Sequence, residues 1–129
     1  MSQENVELAR RGCESVHAFW ALLDEHVVWD MSKHPFVDAD DVYVGREAVI
    51  EASRLYWVTW DDYHLEVEEL IDAGSRVVVV VRESGRGKGS GAPFELRWAQ
   101  VWTFRRGQII RWELFSDIAE ALDAVGMRE

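Results

Sequence analysis

Apolar side chains recur at spacings of three and four residues from Val6 through Ala9, Cys13 and Val16 to Trp20. That period lays one apolar stripe along an α-helix, and helical character is expected to continue to about Leu23. Ser2 suits the N-cap, and Glu4 and Glu7 suit the positive end of the helix dipole. Val27–Met31 reads as a short strand, and Pro35 with the acidic segment Asp38–Asp41 reads as loop. A second long helix is expected over Gly45–Trp60, because Val49, Ile50, Ser53, Tyr56, Trp57 and Trp60 fall on one broad face.

Beyond Trp60 the period drops to two. Tyr63, Leu65 and Val67 alternate with His64, Glu66 and Glu68, as in a half-buried strand. Ala73-Gly74-Ser75 is a turn, and the five consecutive valines within Arg76–Glu83 predict a strand buried on both faces. The run Gly85-Arg86-Gly87-Lys88-Gly89-Ser90-Gly91 fits no phosphate-loop spacing. It joins two strands, so it reads as a flexible hairpin. Phe94–Phe104 and Gln108–Ser116 are the last strands. Asp117-Ile118-Ala119-Glu120 resembles a capping box and opens a short helix that stops near Gly126. Helices followed by a run of strands imply an α+β fold with helices on one face of a curved sheet.

The Arg105-Arg106-Gly107 turn sets the expected register. A three-residue loop pairs Phe104 with Gln108, Trp102 with Ile110 and Gln100 with Trp112. One face then carries Leu96, Trp98, Gln100, Trp102, Phe104, Ile110, Trp112, Leu114 and Ser116. The other carries Arg97, Ala99, Val101, Thr103, Ile109, Arg111, Glu113 and Phe115. The first face is apolar and should meet the helices. Gln100 is the polar side chain in its middle. Leaving a buried amide unpaired costs roughly 1–3 kcal/mol, so Gln100 either bonds its surroundings or presents a donor to a ligand in an aromatic pocket.

Composition bounds the function. The 129 residues suffice for one domain, 1–129. The net charge of -10 argues against nucleic acid and anionic membranes as partners. No apolar run reaches the roughly 20 residues of a membrane span, and the polar N-terminus is no signal peptide, so a cytoplasmic location is expected. Arg82, Arg86, Lys88, Arg97, Arg105, Arg106 and Arg111 crowd one stretch, opposed by Glu83, Glu95 and Glu113. They form a solvated sheet face or a binding face for acidic groups. Cys13 is the one cysteine, placed on the buried helix stripe as a core thiol. The seven tryptophans serve core or ligand pocket equally well.

Several segments resemble the nuclear transport factor 2-like superfamily in its SnoaL-like branch. They are Ser2-Gln3-Glu4-Asn5-Val6-Glu7, Leu23-Asp24 to Trp29-Asp30, Gly45-Arg46-Glu47-Ala48, Ala99-Gln100-Val101-Trp102-Thr103-Phe104 with Gly107, and Arg111-Trp112-Glu113-Leu114-Phe115 with Asp117 and Ala119-Glu120-Ala121-Leu122. The resemblance implies a cone: a strongly bent antiparallel sheet, or cystatin-like roll, with helices closing a central pocket. It also implies a homodimer joined through the convex sheet face, where Val101, Ile109 and Phe115 lie among Arg97, Arg111 and Glu113. The link between the first two helices is shorter than is usual there.

Family activities carry over residue by residue. In ketosteroid isomerase-like members an aspartate ending the first strand moves a proton, and a tyrosine and an aspartic acid hold the developing oxyanion. Asp30 falls at the base position and Gln100 at the late-strand donor position, while Gly12 or Cys13 replaces the tyrosine. In limonene epoxide hydrolase-like members two aspartates flank an arginine. Arg82 matches the arginine, but Leu114 and Ser84 replace the acids, and Leu114 also replaces the last-strand acid of the polyketide cyclase. His17, His26, His34 and His64 do not make the histidine and tyrosine set of scytalone dehydratase-like sites. His34 falls in a segment that the resemblance implies should rim the pocket. The resemblance therefore implies cofactor-free proton transfer on a small apolar or aromatic carbonyl compound. Asp30 and Gln100 would be the catalytic pair, and Trp20, Tyr56, Trp60, Trp98, Trp102, Trp112 and Leu114 the substrate-binding walls. The alternative is a ligand-binding or dimeric interaction module that keeps the fold without the chemistry. The two separate on whether Asp30 and Gln100 face one cavity.

Overall fold

A computed structural model of the chain describes residues 2–33, 42–58 and 60–127. His34, Pro35 and Asp38–Asp41 lie outside the described residues. The chain runs α1 (Ser2–Gly12), α2 (Val16–Leu22), β1 (Leu23–Lys33), β2 (Val42–Val44), α3 (Arg46–Trp57), β3 (Trp60–Ala73), β4 (Arg76–Gly87), β5 (Pro93–Arg105), β6 (Gln108–Phe115) and α4 (Ile118–Ala124). The N-terminal apolar stripe is split because Ser15 turns extended and its side chain accepts from Ala18 N, starting a new helix. β1 is longer than the expected Val27–Met31, and β2 pairs with it at Val28↔Val44 and Asp30↔Val42. α3 stops at Trp57, so Trp60 belongs to β3. Among the described residues no helix is long and apolar enough to cross a membrane.

The α+β fold is as expected, with one amendment. The curled six-stranded sheet has the order β2-β1-β6-β5-β4-β3 and does not close. It is mixed, because β1 runs parallel to β6. Hairpins force β3 to β6 to alternate, whereas β1 joins the sheet without a hairpin to β6 and is free to run parallel.

The register also differs from expectation. Trp102 stands opposite Trp112, Gln100 opposite Leu114 and Phe104 opposite Ile109. The turn has two residues, Arg106 and Gly107, with φ of 53° and 79°, the twist-matched hairpin geometry. A bulge after Thr103 then absorbs one residue on β6. Trp102 and Trp112 still share the inner face, but Ile109 takes the core position expected of Ile110.

The five valines divide as their burial predicts. Val77, Val79 and Val81 face the helices α1 to α3, while Val78 and Val80 face outward with Ala99, Val101 and Phe115. There Ala121 and Val125, in and after α4, cover them. Of the apolar residues expected to join two copies, Ile109 therefore lies inside, and Val101 and Phe115 are already buried in their own chain. Ion pairs occupy the neighbouring outer face: Glu68 bridges Arg82 and Arg97, and Arg111 joins Asp30.

Candidate functional site

Between the helices and the inner sheet face lies a cavity of about 300 Å³. The α1–α2 junction contributes Gly12, Cys13, Ser15, Val16 and Phe19, and α3 contributes Trp57. The sheet contributes Tyr63, Leu65 and Val67 from β3, Val79 and Val81 from β4, Gln100 and Trp102 from β5, and Trp112 from β6. A Cβ on Gly12 would meet Leu22 Cδ1 at 2.9 Å and the Trp102 ring at 3.1 Å, so glycine lets α1 end against the wall. An engineered cavity of about 150 Å³ holds benzene; this one suits a two-ring compound.

The rings are locked. Trp29 stacks on Trp112 with centroids 4.1 Å apart and planes 5° apart. Phe19 packs on Trp102 and Trp112 at 4.8 and 4.6 Å. Both indoles donate to one atom: Gln100 Oε1 accepts from Trp102 Nε1 at 2.7 Å and from Trp112 Nε1 at 2.8 Å. An indole N–H can only donate, so the amide orientation is dictated. Oxygen faces the indoles, and Nε2 keeps two N–H donors without a partner among the described residues. Gln100 is 4% exposed and lines the cavity.

Asp30 is not part of this arrangement. Val27, Trp29 and Met31 point into the core, so Asp30 points to the opposite face, where its carboxylate accepts from Arg111 at 3.0 Å. Among the described residues Asp30 does not line the cavity that holds Gln100, because strand alternation puts Trp29 on the Trp112 side and Asp30 on the other.

Of the expected walls, Trp102 and Trp112 line the cavity beside Gln100. Trp20 packs between α2 and α3, donating to Ser53 Oγ at 3.1 Å. Leu114 is a buried core residue opposite Gln100. Trp60 packs on Phe94 at 4.5 Å and on Tyr56 at 6.3 Å. Tyr56 and Trp98 turn toward Glu83, a group outside the expected site. This glutamate is 0% exposed. Its Oε2 accepts from Tyr56 at 2.8 Å and from Tyr63 at 2.6 Å, and its Oε1 accepts from Trp98 Nε1 at 3.1 Å. Glu83 therefore does not oppose the arginines on the surface.

Phe19, Trp57 and Tyr63 were also absent from the expected site. A signal for Glu83 existed, since Val77, Val79 and Val81 set a parity that carries residue 83 inward. Burial, and then the Glu83 charge, push the Tyr56 and Tyr63 hydroxyls well above the ordinary tyrosine range. Burial also raises the Cys13 thiol to about 11, against the opposing pull of Arg10, so it stays neutral as a core thiol should. Among the described residues no group of His, Cys, Asp or Glu side chains converges as a metal site.

Known structures share this architecture. An NTF2-like protein of unknown function from Burkholderia pseudomallei is 23% identical with a TM-score of 0.74, covering 95% of this chain and 98% of that one. A putative SnoaL-like polyketide cyclase from Jannaschia is 19% identical with a TM-score of 0.75, covering 99% and 95%. A hypothetical protein of ketosteroid isomerase-like fold from Catenulispora acidiphila, in complex with trimethylamine, is 16% identical with a TM-score of 0.67, covering 95% and 91%. No curated protein matches the chain. The family model for the SnoaL-like domain matches residues 8–112, from the first helix to Trp112 on the cavity wall, and the chain belongs to that family.

Proposed function

We propose that the cavity binds a small neutral apolar or aromatic compound bearing a carbonyl group, and that Gln100 Nε2 donates to the carbonyl oxygen. The observation that carries this reading is the lock on Gln100. Two indole donors hold its oxygen, and its two remaining donors sit on a buried side chain in an apolar cavity. A carbonyl oxygen supplies the missing acceptor, and the aromatic walls supply the area. Cofactor-free proton transfer is the chemistry such a site supports, since a donor at the carbonyl oxygen stabilises the enolate formed when a neighbouring carbon loses a proton. The non-catalytic reading draws on Asp30, which faces away from the cavity with Arg111.

Quenching of tryptophan fluorescence by 2-tetralone and by its hydrocarbon analogue tetralin tests the binding. One net hydrogen bond corresponds to a preference for the ketone of roughly three- to tenfold. Gln100→Met keeps a weak sulfur acceptor toward the indoles and carries no donor, so it should abolish that preference. Equal binding of the two compounds by the unaltered protein would overturn the proposal.

A further inference from the structure

The Glu83 cluster stands beside the cavity with no part in the binding just described. Glu83 is fully buried, yet three donors converge on it from three elements: Tyr56 from α3, Tyr63 from β3 and Trp98 from β5. Tyr63 also lines the cavity. The backbone arranges this deliberately: between Asp61↔Arg86 and His64↔Ser84 the β3–β4 ladder shifts register, with Asp62 at a φ of 51°. Such a bulge re-aims the side chain beside it. Tyr63 is thus a bridge: it lines the cavity, and its hydroxyl donates to the carboxylate.

We propose that Glu83, reached through Tyr63, is the proton acceptor for a carbonyl compound held by Gln100; this rests on the reading of the cavity as a carbonyl site. The step balances without a cofactor. The C–H bond next to the carbonyl breaks and its proton bonds to Tyr63 Oη. The phenolic proton of Tyr63 passes along the existing 2.6 Å hydrogen bond to Glu83 Oε2. The electron pair of the C–H bond becomes the enolate, whose oxygen accepts from Gln100 Nε2. One negative charge moves from the carboxylate to the enolate, and the reverse steps return the proton to the same or another carbon. Because Tyr63 holds its own proton firmly, the hydroxyl relays a proton and does not stay ionised. Tyr56, which donates to the same Oε2 as Tyr63, and Trp98, which donates to Oε1, are positioning residues that hold the carboxylate.

The test is exchange of the carbon-bound protons of 2-tetralone for deuterium in D₂O, followed by NMR, with binding measured in parallel by fluorescence. The unaltered protein should bind 2-tetralone and accelerate exchange above the buffer rate. Tyr63→Phe leaves Tyr56 and Trp98 on Glu83 and should fold. It should bind 2-tetralone within about twofold of the unaltered protein, while the acceleration falls by roughly two to four orders of magnitude. Glu83→Gln should show the same loss and should also remove the inflection in the pH profile that reports ionisation of the acceptor. Asp30→Asn should exchange at the unaltered rate. Binding without acceleration, or acceleration that survives Tyr63→Phe, would overturn the relay and leave the cavity a binding site. Failure of the unaltered protein to bind 2-tetralone would remove both readings.

Discussion

Two indole N–H groups meeting on one amide oxygen orient Gln100 in a way that no single neighbour could. The same logic holds Glu83, where hydroxyl and indole donors replace the water that burial removed. Burying these tyrosines has a consequence for stability. Their folded pKa values lie above the ordinary 10.0, so at high pH the folded state keeps protons that the unfolded state releases. Their contribution is complete below that value and declines as pH rises through and beyond it. Urea denaturation across this range should show stability falling, and Tyr63→Phe should make the fall shallower. At this scale the sequence announced Gln100, because a lone amide in an aromatic row breaks the pattern. It hid Glu83, whose neighbours Arg82 and Arg86 made it look like one more surface charge.

The β5–β6 hairpin separates what strand alternation tells from what it omits. Alternation correctly placed Trp98, Gln100, Trp102, Trp112 and Leu114 on one face. It could not supply the pairing, because turn length and the bulge after Thr103 offset one another in a way that residue parity does not record. Arg106 occupies the left-handed region at a φ of 53°. An L-residue there is disfavoured, whereas asparagine tolerates the conformation. Arg106→Asn should therefore raise the midpoint of urea unfolding, by about 0.5–1 kcal/mol in stability. Asp30 illustrates the opposite case. The run Val27, Trp29, Met31 carries the parity that turns Asp30 outward, whereas the family resemblance assigns its position to the base.

For the molecule as a whole, α4 decides what the outer sheet face can do. Asp117 caps it, with Oδ1 accepting from Ala119 N at 2.7 Å, and the helix lays Ala121 and, just beyond its end, Val125 over Val78, Val80, Val101 and Phe115. Removing residues from 117 onward would bare this cluster, an aggregation-prone patch on an otherwise charged face. The truncated chain is expected to lose most of its soluble yield, and size-exclusion chromatography should show what remains as aggregate. A truncated chain that elutes like the intact protein would mean that α4 does not protect the sheet.

The chain's own pattern settled the α+β class, most of the elements, the double burial of the five valines and the tryptophan-rich inner face. Each of these follows from local periodicity, which the backbone geometry of helices and strands converts directly into faces. Only tertiary structure decided the rest: which carboxylate reaches the cavity, which tryptophans wall it and which bind Glu83, and how α4 closes the outer face. Those outcomes depend on contacts between residues such as Tyr63 and Glu83 that are far apart in sequence, and on a bulge that changes where a side chain points.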